Sequence, residues 1–223
     1  MKVVEIFDSI DGEGIRTGQA VSFIRLAGCN LRCSYCDTLY ALFGEKEPCD
    51  YTEMTAREIA NKVNPVFGRV TLTGGEPLIH KDVEELIEIL STQDTEINIE
   101  TNGAVDLRRF QGKYNNLFFT VDYKLPSSGE EDKMIWENFL NLSENDVIKF
   151  VVGSKEDVQR MKEIMRRLNI HYKKLPHIFA GTVYNSYENE ELVWDILSDE
   201  CLKDVRVQLQ IHKIIWDKDK RGV

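Results

Sequence analysis

No apolar run in the chain approaches the roughly 20 residues that a membrane-spanning helix needs. The opening stretch MKVVEIFDSIDGEG has a single lysine and then acids, without the apolar core of a signal peptide, so a cytoplasmic location is expected. Positive charge is also short: 28 Lys and Arg face 38 Asp and Glu, for a net charge of −10. Such a chain repels phosphate backbones, which argues against direct nucleic-acid binding. The small basic clusters at 166–167, 173–174 and 218–221 read as solvated surface. Repeats, low-complexity tracts and long linkers are missing, so residues 1–223 are expected to form a single domain. A composition of 42% hydrophobic and 30% charged residues suits a globular enzyme.

Histidine is scarce, with His80, His171, His177 and His212 all far in sequence from the cysteines. The five cysteines are an odd number, and three fall in the eight residues 29–36. In a reducing compartment this spacing points to metal binding or catalysis rather than disulfides. Cys49 and Cys201 stand alone and receive no role.

Stretches rich in Val, Ile, Phe and Thr at 3–7, 20–26, 69–73, 96–101, 117–123, 147–152, 177–182 and 205–212 read as strands. Helical patterns lie between them. One starts at Thr55, with Glu58 completing a capping-box signature. Others cover 82–90, 154–169 and 189–197, the pattern at 154–169 placing Val158, Met161, Ile164, Met165 and Leu168 on one face. The alternation predicts an α/β fold of parallel strands with helices outside. About six β/α units suit a partial (β/α) barrel, and a doubly wound open sheet fits the periodicity nearly as well. In both architectures ligands sit at the C-terminal ends of the strands, where the unusual residues of this chain fall.

The loop after the second strand carries Cys29, Cys33 and Cys36 as C-x3-C-x2-C. Soft thiolates favour zinc, Cu(I) or iron–sulfur. A closed zinc site needs four ligands, so zinc would require a distant histidine. Three thiolates on one cubane leave its fourth iron open, and an open iron can take the amino and carboxylate groups of S-adenosylmethionine as a chelate.

C-x3-C-x2-C with Tyr35 before the last cysteine resembles the radical SAM superfamily, as does the later Thr73-Gly74-Gly75-Glu76-Pro77. A narrower resemblance, to the 7-carboxy-7-deazaguanine synthase family, runs over nearly the whole chain. It rests on residues 5–14, 23–31 and 36–38, then on Glu100-Thr101-Asn102-Gly103, 124–129 and Gln210-Ile211-His212-Lys213. The Gly12/Gly14/Gly18 spacing lacks the helix a dinucleotide fingerprint requires. The resemblance implies a partial (β/α)6-type radical SAM barrel that converts 6-carboxy-5,6,7,8-tetrahydropterin to 7-carboxy-7-deazaguanine with loss of ammonia, in the pathway to queuosine and other 7-deazapurines. It also implies a [4Fe–4S] cluster, S-adenosylmethionine, Mg²⁺, an external electron donor of the flavodoxin or ferredoxin kind, and a homodimer.

Carried over position by position, the resemblance gives Cys29, Cys33 and Cys36 to the cluster. It gives Tyr35, Cys36, Asp37, Gly75, Glu76, Asp122, Tyr123 and Lys124 to S-adenosylmethionine, and Thr38 to Mg²⁺, a hard ion that prefers oxygen. Ile10, Asp11, Gly12, Glu13, Arg25, Thr73 and His212 fall to the substrate, with Arg25 on its carboxylate. No protein residue is assigned the hydrogen abstraction itself. The chain departs from the family pattern in having Asp11 where Gln is frequent, Asp122-Tyr123-Lys124 where Ser-Pro-Lys is frequent, and Phe179-Ala180-Gly181-Thr182 where a Pro signal is frequent. The tail 214–223 extends past the usual end. The competing reading is a glycyl-radical-enzyme activase, which shares the cysteine triplet and a glycine-bearing segment before it.

Overall fold

The computed structural model describes residues 1–42, 49–217 and 220–223. Among them, nine strands make one sheet: β1 (Lys2–Ile10), β2 (Ala20–Leu26), β3 (Thr52–Glu53), β4 (Arg69–Gly74), β5 (Glu96–Thr101), β6 (Leu117–Tyr123), β7 (Val147–Val152), β8 (His177–Thr182) and β9 (Val205–Val207). The α-helices are α1 (Ala56–Ala60), α2 (Val83–Thr92), α3 (Trp136–Leu140), α4 (Lys155–His171), α5 (Asn189–Leu197) and α6 (His212–Ile215). The strand order is β3-β1-β2-β4-β5-β6-β7-β8-β9. From β2 to β9 every neighbouring pair is parallel, which gives an α/β partial barrel with helices outside.

The first strand departs from the expected parallel arrangement, because β1 runs antiparallel to both β2 and β3. Only residues 11–19 join β1 to β2, and a parallel crossover needs about a dozen residues or more. The last expected strand, 205–212, stops at Val207. After Gln208 N donates to Ala180 O, the chain turns, Ile211 N donates to Gly12 O, and His212 opens α6. The apolar alternation of Val205, Val207, Leu209 and Ile211 imitates a longer strand.

Side chains alternate across the sheet with period two. Ile24, Leu72, Ile99, Val121, Phe150 and Ile178 face outward and pack with Leu86, Ile87, Met161 and Ile164 of the helices in one apolar cluster. The intervening positions point inward and are largely polar: Thr71 and Thr73, Asn98 and Glu100, Thr120 and Asp122, then Lys149. A parallel strand buried on both faces ordinarily reads as a near-continuous apolar run, so polar residues on the concave face mark a chamber built for a ligand.

The helix starts follow the expected local chemistry. Thr55 and Glu58 make the reciprocal capping box of α1, with Glu58 N to Thr55 Oγ1 at 3.2 Å and Thr55 N to Glu58 Oε2 at 2.8 Å. Ser154 caps α4 through Asp157 N at 3.2 Å. Part of the basic cluster 218–221, including Lys218, lies outside the described residues. Arg221 is described, and it stacks 3.9 Å over the Tyr40 ring, so the tail returns to the segment that follows the cysteine loop.

Candidate active site

A cleft of about 790 Å³ opens where the parallel strands end, as expected for this architecture. Cys29, Cys33 and Cys36 line it together with Glu13, Thr73, Gly75, Asp122 and Lys124. Glu100, Asn102, Lys149, Gln208 and Lys213 also line it, and the sequence alone assigns them no role. Lys149 was detectable as a lone charge inside the apolar strand VIKFVV.

The cysteine loop is braced from four sides. Gly28 N donates to Ala41 O at 2.7 Å and Ser34 N to Ser128 O at 2.9 Å. Arg32 N donates to Glu130 Oε1 at 2.6 Å, and Asn30 Nδ2 to Ala104 O at 3.3 Å. The 124–129 run that supports Ser34 is itself held by buried Asp157, which accepts from Ser127 N at 2.9 Å and Gly153 N at 2.7 Å. Burial raises all three thiols, Cys33 to about 11, so loading a metal must displace protons.

Glu76 does not face the cleft as expected. Its side chain is fully buried and accepts from Leu78 N at 3.0 Å, Thr101 Oγ1 at 3.0 Å and Asn102 N at 2.7 Å. It therefore clamps the end of β4 to the end of β5, and burial lifts its carboxyl to about 7 against those donors. The two glycines before it are required by the protein's own packing. A Cβ on Gly74 would lie 2.1 Å from Leu26 O, and one on Gly75 would lie 2.2 Å from Gly28 O. Only glycine lets this turn press against the root of the cysteine loop.

Ion pairs set the electrostatics of the concave face. Glu13 Oε2 and Lys149 Nζ are 2.6 Å apart, and Lys124 Nζ lies 2.8 Å from Asp122 Oδ2. Burial is the largest single effect and disfavours both ammonium charges, but the surrounding acidic groups together outweigh it, Glu13, Asp122 and Glu100 at Lys149 and Asp122 with Cys33 at Lys124, and hold both charged. Thr73 Oγ1 donates to Glu100 Oε2 at 2.7 Å. Thr38 Oγ1 donates to Asp37 Oδ1 at 3.0 Å, and Lys213 Nζ reaches Asp37 Oδ2 at 2.8 Å. Buried Asp122 Oδ1, Tyr35 Oη and Gln208 Nε2 have no hydrogen-bond partner among the described residues, which suits groups meant for a ligand.

Several expected contacts stand elsewhere. Asp11 is 3% exposed, paired at 2.7 Å with Arg16 and bonded by Thr71 Oγ1 at 2.8 Å. It belongs to a buried plug inside the barrel, and the Arg16 cation explains why an acid is tolerated there. Tyr123 packs on the outer face against Phe139 and Trp136, with its hydroxyl on Glu131, so only its backbone borders the cleft strand. Arg25 Nε is bound to Glu5 Oε1 at 2.7 Å and its guanidinium lies over the rings of Phe7 and Tyr40, outside the cleft wall. Ile10 ends β1 opposite Ala20. Gly12 is packed so closely against His212 that a Cβ there would meet its Nδ1 at 1.9 Å. His212 thus backs the Glu13 loop rather than lining the cavity.

Among the described residues, no three His, Cys, Asp or Glu side chains are gathered around a point for a single metal ion. The donor set fits a cluster instead: Cys29, Cys33 and Cys36 are three soft thiols from one loop that all line the cleft.

A family model for the radical SAM superfamily matches residues 23–199. The chain is 46% identical to a 7-carboxy-7-deazaguanine synthase of Clostridium acetobutylicum, over 100% of this chain and 99% of that one. It is 37% identical to a 7-carboxy-7-deazaguanine synthase of Methanospirillum hungatei, over 96% of this chain and 85% of that one. Among solved structures, QueE from Escherichia coli superposes with a TM-score of 0.72 at 24% identity, covering 94% of this chain and 93% of that one, which is a likeness of fold. Membership of the superfamily implies a [4Fe–4S] cluster and S-adenosylmethionine. The chain belongs to the 7-carboxy-7-deazaguanine synthase family of radical SAM proteins.

Proposed function

We propose that this protein converts 6-carboxy-5,6,7,8-tetrahydropterin to 7-carboxy-7-deazaguanine with loss of ammonia, as a radical SAM lyase of 7-deazapurine biosynthesis acting through residues 1–223 as one domain. The observation that carries the reading is the convergence of Cys29, Cys33 and Cys36 with a polar concave face in one cleft. Whole-length relatives of the synthase family favour it over a glycyl-radical activase.

In this reading Cys29, Cys33 and Cys36 would hold the cluster. With S-adenosylmethionine bound beside it, the cluster would supply the one-electron chemistry for hydrogen abstraction from the substrate. The protein orients the partners. Tyr35 Oη and Asp122 Oδ1 are the buried groups available to S-adenosylmethionine, with Lys124 fixing the Asp122 carboxylate. Gly75 offers backbone at the cleft wall, which Asp37 also lines. Lys149 fixes Glu13 through one oxygen, so the other can accept from the donor edge of a pterin. Thr73 and Glu100 present a hydroxyl and a carboxylate on the same face. Thr38, beside Asp37, offers oxygen to Mg²⁺. The electron comes from a small donor protein of the flavodoxin or ferredoxin kind, the protein acts in the cytoplasm, and two copies form the working unit.

A count of 5′-deoxyadenosine against 7-carboxy-7-deazaguanine by mass spectrometry tests this. An isomerase-like use of the cofactor gives several deazapurines for each S-adenosylmethionine cleaved. Cleavage with no deazapurine formed would overturn the substrate assignment.

A further inference from the structure

Asn102 follows β5 and has its side-chain amide held in one orientation. Ala104 N donates to its Oδ1 at 2.9 Å, so its NH₂ end is turned toward the cysteine loop. One hydrogen-bond direction of Nδ2 is taken by Asn30 Oδ1 at 2.8 Å, and the other reaches Cys29 Sγ at 3.5 Å. The backbone is fixed as well, because Asn102 N donates to the fully buried Glu76 carboxylate at 2.7 Å. Gly103, at φ +76, permits the turn that brings this side chain back over the loop. Asn102 is 7% exposed, so water competes little for its amide.

We propose that Asn102 sets the reduction potential of the cluster by donating an N–H···S hydrogen bond to the Cys29 sulfur. In the free thiol of this structure, Sγ stands in for the thiolate ligand of the loaded protein. A donor at a thiolate sulfur stabilises the more negatively charged, reduced cluster and raises its potential. Leu31 N, 3.4 Å from the same sulfur, contributes a backbone donor that substitution leaves in place. The inference rests on the cluster assignment to Cys29, Cys33 and Cys36, and it makes Asn102 a positioning and tuning residue rather than a ligand.

The test is a redox titration of the anaerobically reconstituted protein, followed by the electron paramagnetic resonance signal of the reduced cluster. Iron and sulfide are first counted on the parent protein, since a parent without a cluster would sink the assignment itself. Two variants are then compared. Asn102→Ala removes the donor, and Asn102→Asp keeps an acceptor for Ala104 N while placing a negative charge beside the sulfur. The expected result is a lower potential in Asn102→Ala and a still lower one in Asn102→Asp, at iron content equal to the parent. Unchanged potentials in both variants would overturn the proposal. Failure of both to hold a cluster would also overturn it, assigning Asn102 to loop structure alone.

Discussion

Glu13 Oε2 and Lys149 Nζ meet at 2.6 Å across a sequence separation of 136 residues, joining the loop after β1 to the concave face of β7. Their side chains are 14% and 16% exposed, so the pair is largely withdrawn from water yet lines the cleft. That placement makes it both a closure for the barrel and a support for the carboxylate that would face the substrate.

Lys149→Met leaves the Glu13 carboxylate without its partner. A charged group stranded in this way costs about 2–3 kcal/mol, and each kcal/mol is worth roughly 2–4 °C of Tm at this chain length. Misplacing a substrate-orienting group costs on the order of 100-fold in kcat/KM. Thermal melts and steady-state kinetics check both effects. A lowered Tm with unchanged kinetics would reduce the pair to a structural role.

Gly12→Ala pushes a methyl to within 1.9 Å of His212 Nδ1, and the imidazole must move. Overpacking of this kind costs about 1–3 kcal/mol, and here it also shifts the Glu13 loop. Adding His212→Ala should restore much of the lost Tm, because it removes the obstacle. Melting the single and double variants side by side decides this; a double variant no more stable than Gly12→Ala would contradict the contact.

Much of this arrangement was legible in the sequence. The strands at 20–26, 96–101, 117–123, 147–152 and 177–182 end where expected because their β-branched and aromatic runs are bounded by polar loops. The cysteine triplet, Thr73, Gly74, Gly75 and Thr38 all reach one cleft. What sequence could not give is which way a side chain points when both faces of a strand are covered. Tyr123 and Asp122 are neighbours, yet one packs outward on Phe139 and the other turns inward to Lys124. Nor does spacing reveal that Asp11 finds Arg16 and Thr71, or that Glu76 is consumed by backbone donors, since those partners are distant in the chain or depend on how two strands align.

The Glu76 carboxyl gives a pH signature. Its folded value of about 7 lies above the ordinary 4.5, so ionisation is less favourable in the folded protein. The resulting stability is present in full below pH 4.5 and is lost as the pH rises to about 7. Melting temperatures of the parent taken from pH 8 down to pH 5.5 should therefore gain from Glu76 protonation. Glu76→Gln, which cannot titrate, should show a smaller rise over the same interval, on a baseline lowered because its amide opposes Asn102 N. Parallel slopes for the two proteins would contradict the assignment.

Thr38→Ala removes one hydroxyl from the proposed Mg²⁺ position. Loss of a metal-site contact commonly costs ~10–100-fold in affinity. The Mg²⁺ concentration for half-maximal activity should rise by that order while the cluster content stays constant. Titration of the EDTA-treated protein with Mg²⁺ measures it, and an unchanged midpoint would place the ion elsewhere.

The central claim is that Cys29, Cys33 and Cys36 carry a cluster on which deazapurine formation depends. It is tested most directly by anaerobic turnover of the reconstituted protein with reductant, S-adenosylmethionine, Mg²⁺ and 6-carboxy-5,6,7,8-tetrahydropterin, alongside Cys33→Ala. The account predicts 7-carboxy-7-deazaguanine from the parent and none from Cys33→Ala. Equal product from both proteins, or none from a parent with a full complement of iron and sulfide, would contradict it.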